Sequence, residues 1–330
     1  MAGAGLACWL FLSAREPLFR GKPESYWITN IVYFGPDAQT AQWRGFGPDG
    51  IRLLTRTLDR SYGLPHTYRK IYRRYAYRLP GVLTRQLPPP AEPRQIRMQI
   101  LSLLDQMSAE TNFARLAESS VARCLKDEDG GVSGIALAWY ESGAPLISAE
   151  ARKARLPDFL RLAQDGDHSL RNNAAVALRH YREEALTVTP VLVSILQETN
   201  PGIYLTIAGA LVEVDPQAAA QAGVVRNTVE ILKNPNDQIA YRAAELLGKL
   251  TSEPAVSVPA LIGGTRSTND LVAIYSMSAL VKFREPLEII VPVLTNSLTH
   301  SNKYMRRYAR EALQRIDPAA LGSSEPASKP

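Results

Sequence analysis

A short pattern recurs at a nearly constant interval along most of this chain, and that recurrence restricts the fold more than any other feature. With Leu178 in RNNAAVALRHY as the anchor, the pattern returns at Leu211 (YLTIAGALVEV), Leu247 (AYRAAELLGKL), Leu280 (AIYSMSALVKF) and Leu313 (RRYAREALQRI), at steps of 33, 36, 33 and 33 residues. Weaker copies stand upstream at Trp139 and Leu104, at steps of 39 and 35. Each copy places apolar or small residues at offsets −8, −4, −1, 0 and +3; in the last they are Met305, Ala309, Ala312, Leu313 and Ile316. Those offsets share one face of an α-helix. The face is rich in alanine, so neighbouring helices can approach closely.

A second helix is expected before each of these. Pro157, Pro190, Pro259 and Pro292 stand 21 residues ahead of their anchors, with Arg226 in the remaining C-terminal slot. The spacing predicts a proline in the first helical turn, where its missing N–H costs nothing. Polar residues at −13 and −11 separate the two helices: Asp165/Asp167, Glu198/Asn200, Asn234/Asn236, Ser267/Asn269 and His300/Asn302. Short polar side chains there are suited to capping the following helix. A single such pair cannot bury enough apolar surface to offset the entropy of ordering it, so the pairs must stack.

The segment Pro157–Leu178, with Asp165, Asp167 and Arg171, resembles the HEAT-repeat unit P-x-L…L-x-D-x-D-x-x-V-R-x-x-A-x-x-A-L. The resemblance covers about two thirds of the chain. It implies an all-α fold, a right-handed α-α superhelix (HEAT-type solenoid) of about seven helical pairs with an atypical N-terminal cap. In that family the Asp–Arg pair forms ladders between repeats. Arg97 and Arg306 fill the arginine slot here, but Tyr204, Ala240 and Ala273 do not, so an interrupted ladder is expected. The domain reading is an apolar segment at 1–14, a basic capping region at 15–93, the repeats at 94–317 and a Pro/Ser/Ala-rich tail at 318–330, expected to be disordered.

Charge and motifs narrow the function. Residues 1–93 carry 13 Lys/Arg against 6 Asp/Glu, whereas 94–330 carry 25 against 26. The repeats are therefore charge-balanced, unlike a nucleic-acid groove. The two cysteines, Cys8 and Cys124, have no metal or disulfide spacing. Cys124 is expected to be a core thiol. The chain has no GxGxxG, P-loop, GxSxG or metal-spaced His set. No enzyme activity, metal or cofactor is expected.

In a stack of this kind the second helices line the concave surface, and offsets −6, −2 and +2 should point outward. The residues assigned to partner binding are Asn172, His180, Leu205, Tyr241, Glu245, Lys249, Ile274, Lys282 and Arg307, with Tyr241 as anchor and Leu205 and Ile274 beside it. Their mixture of apolar, aromatic and oppositely charged groups suits a protein or peptide better than a phosphate backbone. The expected function is a non-catalytic protein-protein interaction scaffold. One alternative is a nucleic-acid or anionic-membrane-surface binder acting through Tyr68–Arg78, whose basic residues include Arg69, Lys70, Arg73, Arg74 and Arg78. A second is a HEAT-fold enzyme of DNA glycosylase or lyase type.

The N-terminus reads in two ways. Gly3–Ala14 is apolar, followed by Arg15, Arg20 and Lys22, but at ~1.5 Å per residue it is short for a hydrocarbon core of about 30 Å. It is either part of a signal-anchor whose true start lies upstream, making the chain membrane-anchored or exported, or a hydrophobic cap on a cytoplasmic protein. Gly21-Lys22-Pro23-Glu24-Ser25-Tyr26-Trp27 is similar to a G-K-P-x-S-x-W element that precedes the repeats in uncharacterised bacterial HEAT proteins. That resemblance implies a bacterial origin and membrane proximity.

Overall fold

A computed structural model describes residues 17–62, 92–108, 111–143, 146–283 and 286–322. Apart from a hairpin of β1 (Leu18–Phe19) and β2 (Lys22–Pro23), the described elements are helices. They fall into two units, one ending at Leu162 and one beginning at Ala163. The apolar segment at 1–14 and the basic segment Tyr68–Arg78 lie outside the described residues. So does the tail beyond 322; before it, Ala319–Gly322 forms a turn of helix where disorder was expected.

Unit one contains the hairpin, α1 (Glu24–Thr29), α2 (Asp37–Gly45), α3 (Gly47–Ser61), α4 (Pro93–Gln106), α5 (Thr111–Cys124), α6 (Gly130–Gly143) and most of α7 (Ala149–Asp165). Helix α3 packs on α4 and α5, α4 on α6, and α5 on α6, giving two successive helix pairs. The run IRLLTRTL is the first helix of the first pair, with Ile51, Leu53, Leu54 and Leu58 wholly buried. Arg20 and Gly21 both take left-handed backbone (φ 50° and 77°), as a two-residue hairpin loop demands. Trp27 Nε1 donates to the Phe19 carbonyl at 2.7 Å and, with Phe46 and Trp43, closes an edge-to-face aromatic cluster.

Unit two runs through α8 (His168–Leu178), α9 (Ala185–Ser194), α10 (Pro201–Val214), α11 (Pro216–Gln221), α12 (Val224–Leu232), α13 (Asp237–Lys249), α14 (Pro254–Gly264), α15 (Asp270–Leu280), α16 (Leu287–Ser297), α17 (Lys303–Ile316) and α18 (Ala319–Gly322). Second helices meet in the order α8, α10, α13, α15, α17, while the first helices α12, α14 and α16 meet in a parallel series. The longer step between Leu211 and Leu247 is taken up by α11. Asp215 caps that helix, accepting from Ala218 N at 2.9 Å, and Gly223 at φ 75° turns the chain out of it. The alanine-rich faces do bring helices close. A Cβ on Gly248 of α13 would lie 2.9 Å from Ala279 Cα of α15.

The polar pair ahead of each second helix forms a double cap. Asp167, Asn200, Asn236, Asn269 and Asn302 accept from the first-turn amides of α8, α10, α13, α15 and α17 at 2.8–3.3 Å. The residue two positions earlier often accepts from the cap's own N–H: Glu198 Oε1 at 3.0 Å, Asn234 Oδ1 at 2.9 Å, Ser267 Oγ at 3.1 Å and His300 Nδ1 at 3.1 Å. His300 is thus a capping residue.

Three expectations need correction. The prolines are not in the first turn. Helices α9, α14 and α16 begin five residues before Pro190, Pro259 and Pro292, and α7 begins eight before Pro157. Each proline forfeits a bond to the carbonyl four residues back. Those residues, Lys153, Leu186, Ala255 and Glu288, are all exposed, so water can satisfy the freed carbonyl. The second copy is also one residue out of register. Asp129 caps α6, accepting from Gly131 N and Val132 N at 3.0 and 3.2 Å, and Asp127 accepts from Asp129 N at 2.9 Å. Counting from those caps, the anchor is Tyr140, not Trp139; both rings are buried, which made the sequence pattern ambiguous. The core slot given to Cys124 then passes to Leu125, and both side chains are 0% exposed.

The third correction concerns the ladder. Its arginine form is made at two of the three arginines: Arg97 Nη1 donates to Asp127 Oδ2 at 2.8 Å, and Arg171 Nη1 to Glu198 Oε2 at 3.2 Å, whereas Arg306 donates to the His300 and Ser301 carbonyls of its own repeat. Further on, amides replace it. Asn269 Nδ2 donates to Asp237 Oδ2 at 2.7 Å, and Asn302 Nδ2 donates to Asp270 Oδ2. The cap of one second helix thereby holds the first residue of the second helix before it at the α13–α15 and α15–α17 steps, while at Tyr204 the ladder is interrupted as expected among the described residues.

Candidate functional site

The second helices α13, α15 and α17 carry part-exposed stripes, whereas α10 is covered by its neighbours along almost its whole length. On α13 the stripe holds Tyr241 and Arg242, half-buried, then Glu245 and Lys249, exposed. On α15 it holds Leu271, Ile274, Tyr275 and Ser278, with Lys282 just beyond the C-terminus of the helix, and on α17 Tyr304, Arg307, Tyr308, Glu311 and Arg315. The rings of Tyr241 and Tyr275 lie 4.9 Å apart between centroids and 33° from parallel, joining two consecutive second helices across their open faces. Arg307 lies 5.7 Å from the Tyr304 ring centroid and 5.2 Å from that of Tyr308. Aromatic groups thus recur along the stripe, held by rigid helices.

The charges between them are largely internal pairs. Lys249 Nζ is 3.4 Å from Glu213 Oε1 and 3.6 Å from Glu245 Oε1. Arg242 Nη2 donates to Thr206 Oγ1 of α10 at 2.9 Å, and Arg307 reaches Glu311 at 3.6 Å. Exposed pairs of this kind add little stability. They do set side-chain orientation and leave the tyrosines as the main uncommitted surface on α13 and α15.

The expected binding residues divide. Tyr241, Glu245, Lys249, Ile274 and Arg307 share the open stripes of α13, α15 and α17, and Lys282 is exposed just beyond the C-terminus of α15. Asn172 is half-buried on α8, its amide donating to Asn173 Oδ1 at 3.3 Å, and His180 is exposed beyond the C-terminus of that helix. Leu205 is not available: it is 4% exposed. Helix α10 is packed by α8, α9, α11 and α13, so its −6 position faces neighbours. The basic residues Arg69, Lys70, Arg73, Arg74 and Arg78 lie outside the described residues. Tyr275 and Arg242 were missed because they stand at offset −5, one position round the helix from the offset used. The repetition of tyrosine at that offset, Tyr275 and Tyr308, was a signal in the sequence.

A separate surface cleft of about 440 Å³ opens between α7, α8 and the end of α9, lined by His168, Arg171, Gln197 and Glu198 among others. The Glu198 carboxylate is held below its ordinary pKa, first by the Asn200 amide and then by His168 and Arg171. His168 Nδ1 lies 2.8 Å from Glu198 Oε2. The charged groups here, Arg171 and Glu198, already serve the ladder and the cap of α10, which gives them a structural role. Among the described residues no three His, Cys, Asp or Glu side chains come together as a metal-binding group. No helix among them is long and apolar enough to cross a membrane.

Apart from the one hairpin, the described elements are helices, and they build repeated, capped helix pairs. No protein-family model matches the chain, and no curated protein matches it. Two solved structures to which it is similar are crystal structures of engineered proteins. One is 21% identical, with 60% of this chain and 96% of the other covered at a TM-score of 0.48. The second is 18% identical, with 61% and 98% covered at a TM-score of 0.46.

Proposed function

We propose that this chain is a non-catalytic protein-interaction scaffold. In this reading its pairs form a HEAT-type right-handed solenoid, and the open stripes of α13, α15 and α17 line the concave face that receives a protein or peptide. The observation that carries the proposal is the Tyr241–Tyr275 pair. Two half-buried aromatic rings from consecutive second helices pack against each other at a tilt, with Ile274 adjoining in sequence and the Lys249 charge pairs on the same helix as Tyr241. Tyrosine supplies a large apolar face, a polar tip and little rotamer entropy, which is why such residues dominate interface energetics.

The test compares the wild-type chain with Tyr241→Ala/Tyr275→Ala as bait in native lysate, at low and high salt, with captured proteins identified by mass spectrometry. A partner held by the wild type at both salts and lost by the variant supports the proposal. Truncating a central aromatic anchor costs about 2–4 kcal/mol of binding, or roughly 30-fold or more in affinity. Equal capture by a folded variant at both salts refutes it. Both rings are part-exposed, so thermal unfolding should shift little.

A further inference from the structure

Among the described residues, twelve large apolar side chains are exposed, and five of them stand between residues 18 and 34 of unit one. Leu18, Tyr26, Val32, Tyr33 and Phe34 are 68%, 44%, 56%, 38% and 69% exposed. No other stretch approaches that density, and scattered exposed apolar residues need no explanation where a concentration does.

The loop that presents the last three is held in place, while Leu18 stands on β1 and Tyr26 on α1. Gln39 accepts from Val32 N at 2.8 Å and donates back to the Val32 carbonyl at 3.2 Å, and Phe34 N donates to Ser102 Oγ at 3.3 Å. Phe34 has φ 49°, the left-handed region that bulky residues avoid at a cost of about 1 kcal/mol or more. The strain is not offset by burial of the ring. The fold instead fixes an aromatic side chain in solvent, with the Tyr33 ring 4.3 Å from it.

Cations accompany the apolar groups. Lys22 Nζ sits 4.0 Å from the Tyr26 ring centroid, and Arg20 at the hairpin tip lies 5.9 Å from that of Phe46. The one acidic residue between 17 and 34, Glu24, is buried and paired with Arg56 and Arg60. Aromatic rings beside Lys and Arg, with no exposed carboxylate between residues 17 and 34 and Asp37 and Glu92 at the margin of the element, match the chemistry of a lipid-water boundary carrying negative charge. In the sequence, the apolar run Gly3–Ala14 and Arg15 stand just ahead of this element.

We propose that the hairpin, α1 and the Val32–Phe34 loop seat on an anionic lipid surface, with Phe34, Val32 and Tyr26 entering the headgroup layer and Arg20 and Lys22 meeting lipid phosphates. This is independent of the partner-binding reading of unit two.

The experiment is co-sedimentation of the full chain with phosphatidylcholine vesicles, with and without phosphatidylglycerol. Val32→Ser/Phe34→Asn removes the apolar contact while keeping the backbone bonds to Gln39, and asparagine tolerates left-handed φ. Arg20→Asn/Lys22→Gln removes the cations. Wild type should prefer the anionic vesicles. The apolar variant should lose about ten-fold or more in partitioning to both vesicles. The cation variant should lose about five-fold per charge on anionic vesicles and nothing on neutral ones. Circular dichroism checks that each variant stays folded. Two outcomes overturn the proposal: no partitioning by the wild type, or unchanged partitioning by both folded variants, which would assign attachment to Gly3–Ala14 alone.

Discussion

Changing Asn269 to Asp tests whether the amide ladder, and not the cap alone, couples neighbouring helix pairs. The substitution keeps the capping oxygen, which accepts from Leu271 N at 2.8 Å and Val272 N at 3.3 Å, and Asp and Asn cap about equally well. What changes is the other end. Nδ2, which donates to Asp237 Oδ2 at 2.7 Å, becomes a carboxylate oxygen facing a carboxylate. The lost hydrogen bond is worth about 1 kcal/mol. Two like charges about 4 Å apart repel by roughly 1–4 kcal/mol between surface and bulk dielectric. Asp237 is exposed and can rotate away from the half-buried, capping residue 269, so the lower end applies and the total is about 2 kcal/mol. In a chain stabilised by neighbour interfaces, that loss should appear as a lower urea midpoint and as faster amide exchange in α13 and α15. Asp237→Asn added to Asn269→Asp restores a donor opposite the new carboxylate and should recover about 1 kcal/mol or more. Asn236→Asp, which has the same capping role without a bond to a neighbouring helix among the described residues, should change stability by under about 0.5 kcal/mol. The reasoning fails if Asn269→Asp matches wild type, or if its loss is the same with Asn at 237.

Two glycines on second helices should respond oppositely to alanine. Gly248→Ala meets the Ala279 backbone at 2.9 Å and should cost about 1–3 kcal/mol, whereas Gly209→Ala enters open space within α10 and should gain about 0.5–1 kcal/mol, both read by urea titration. Leu205→Ala should destabilise by about 2–4 kcal/mol because the side chain is buried, while Tyr241→Ala should leave the melting temperature nearly unchanged. Burial pushes the Cys124 thiol up to about 11, so iodoacetamide at pH 8 should label it only after unfolding, as followed by peptide mass spectrometry. Glu198 has a depressed folded pKa. Its contribution is therefore whole above an unfolded value of about 4.3 and is lost as pH falls through the lower folded value. Glu198→Gln should flatten that acid limb of the stability curve.

The helices, their pairing and their caps were legible in the sequence because each is a local periodic matter. Apolar residues at −8, −4, −1, 0 and +3 can share a helix face in only one way, and a short polar residue at −11 has the first-turn amides within reach. Tertiary structure decided what depends on neighbours. Whether a proline can sit inside a first helix depends on whether the carbonyl it orphans faces water, and all four do so at exposed residues. Trp139 and Tyr140 were equivalent as anchors until Asp127 and Asp129 set the register of α6. Leu205 and Ile274 occupy the same offset in their helices. One is buried because α10 is surrounded, and the other stays partly open on α15. The period is a property of one chain segment, while exposure is a property of what packs against it.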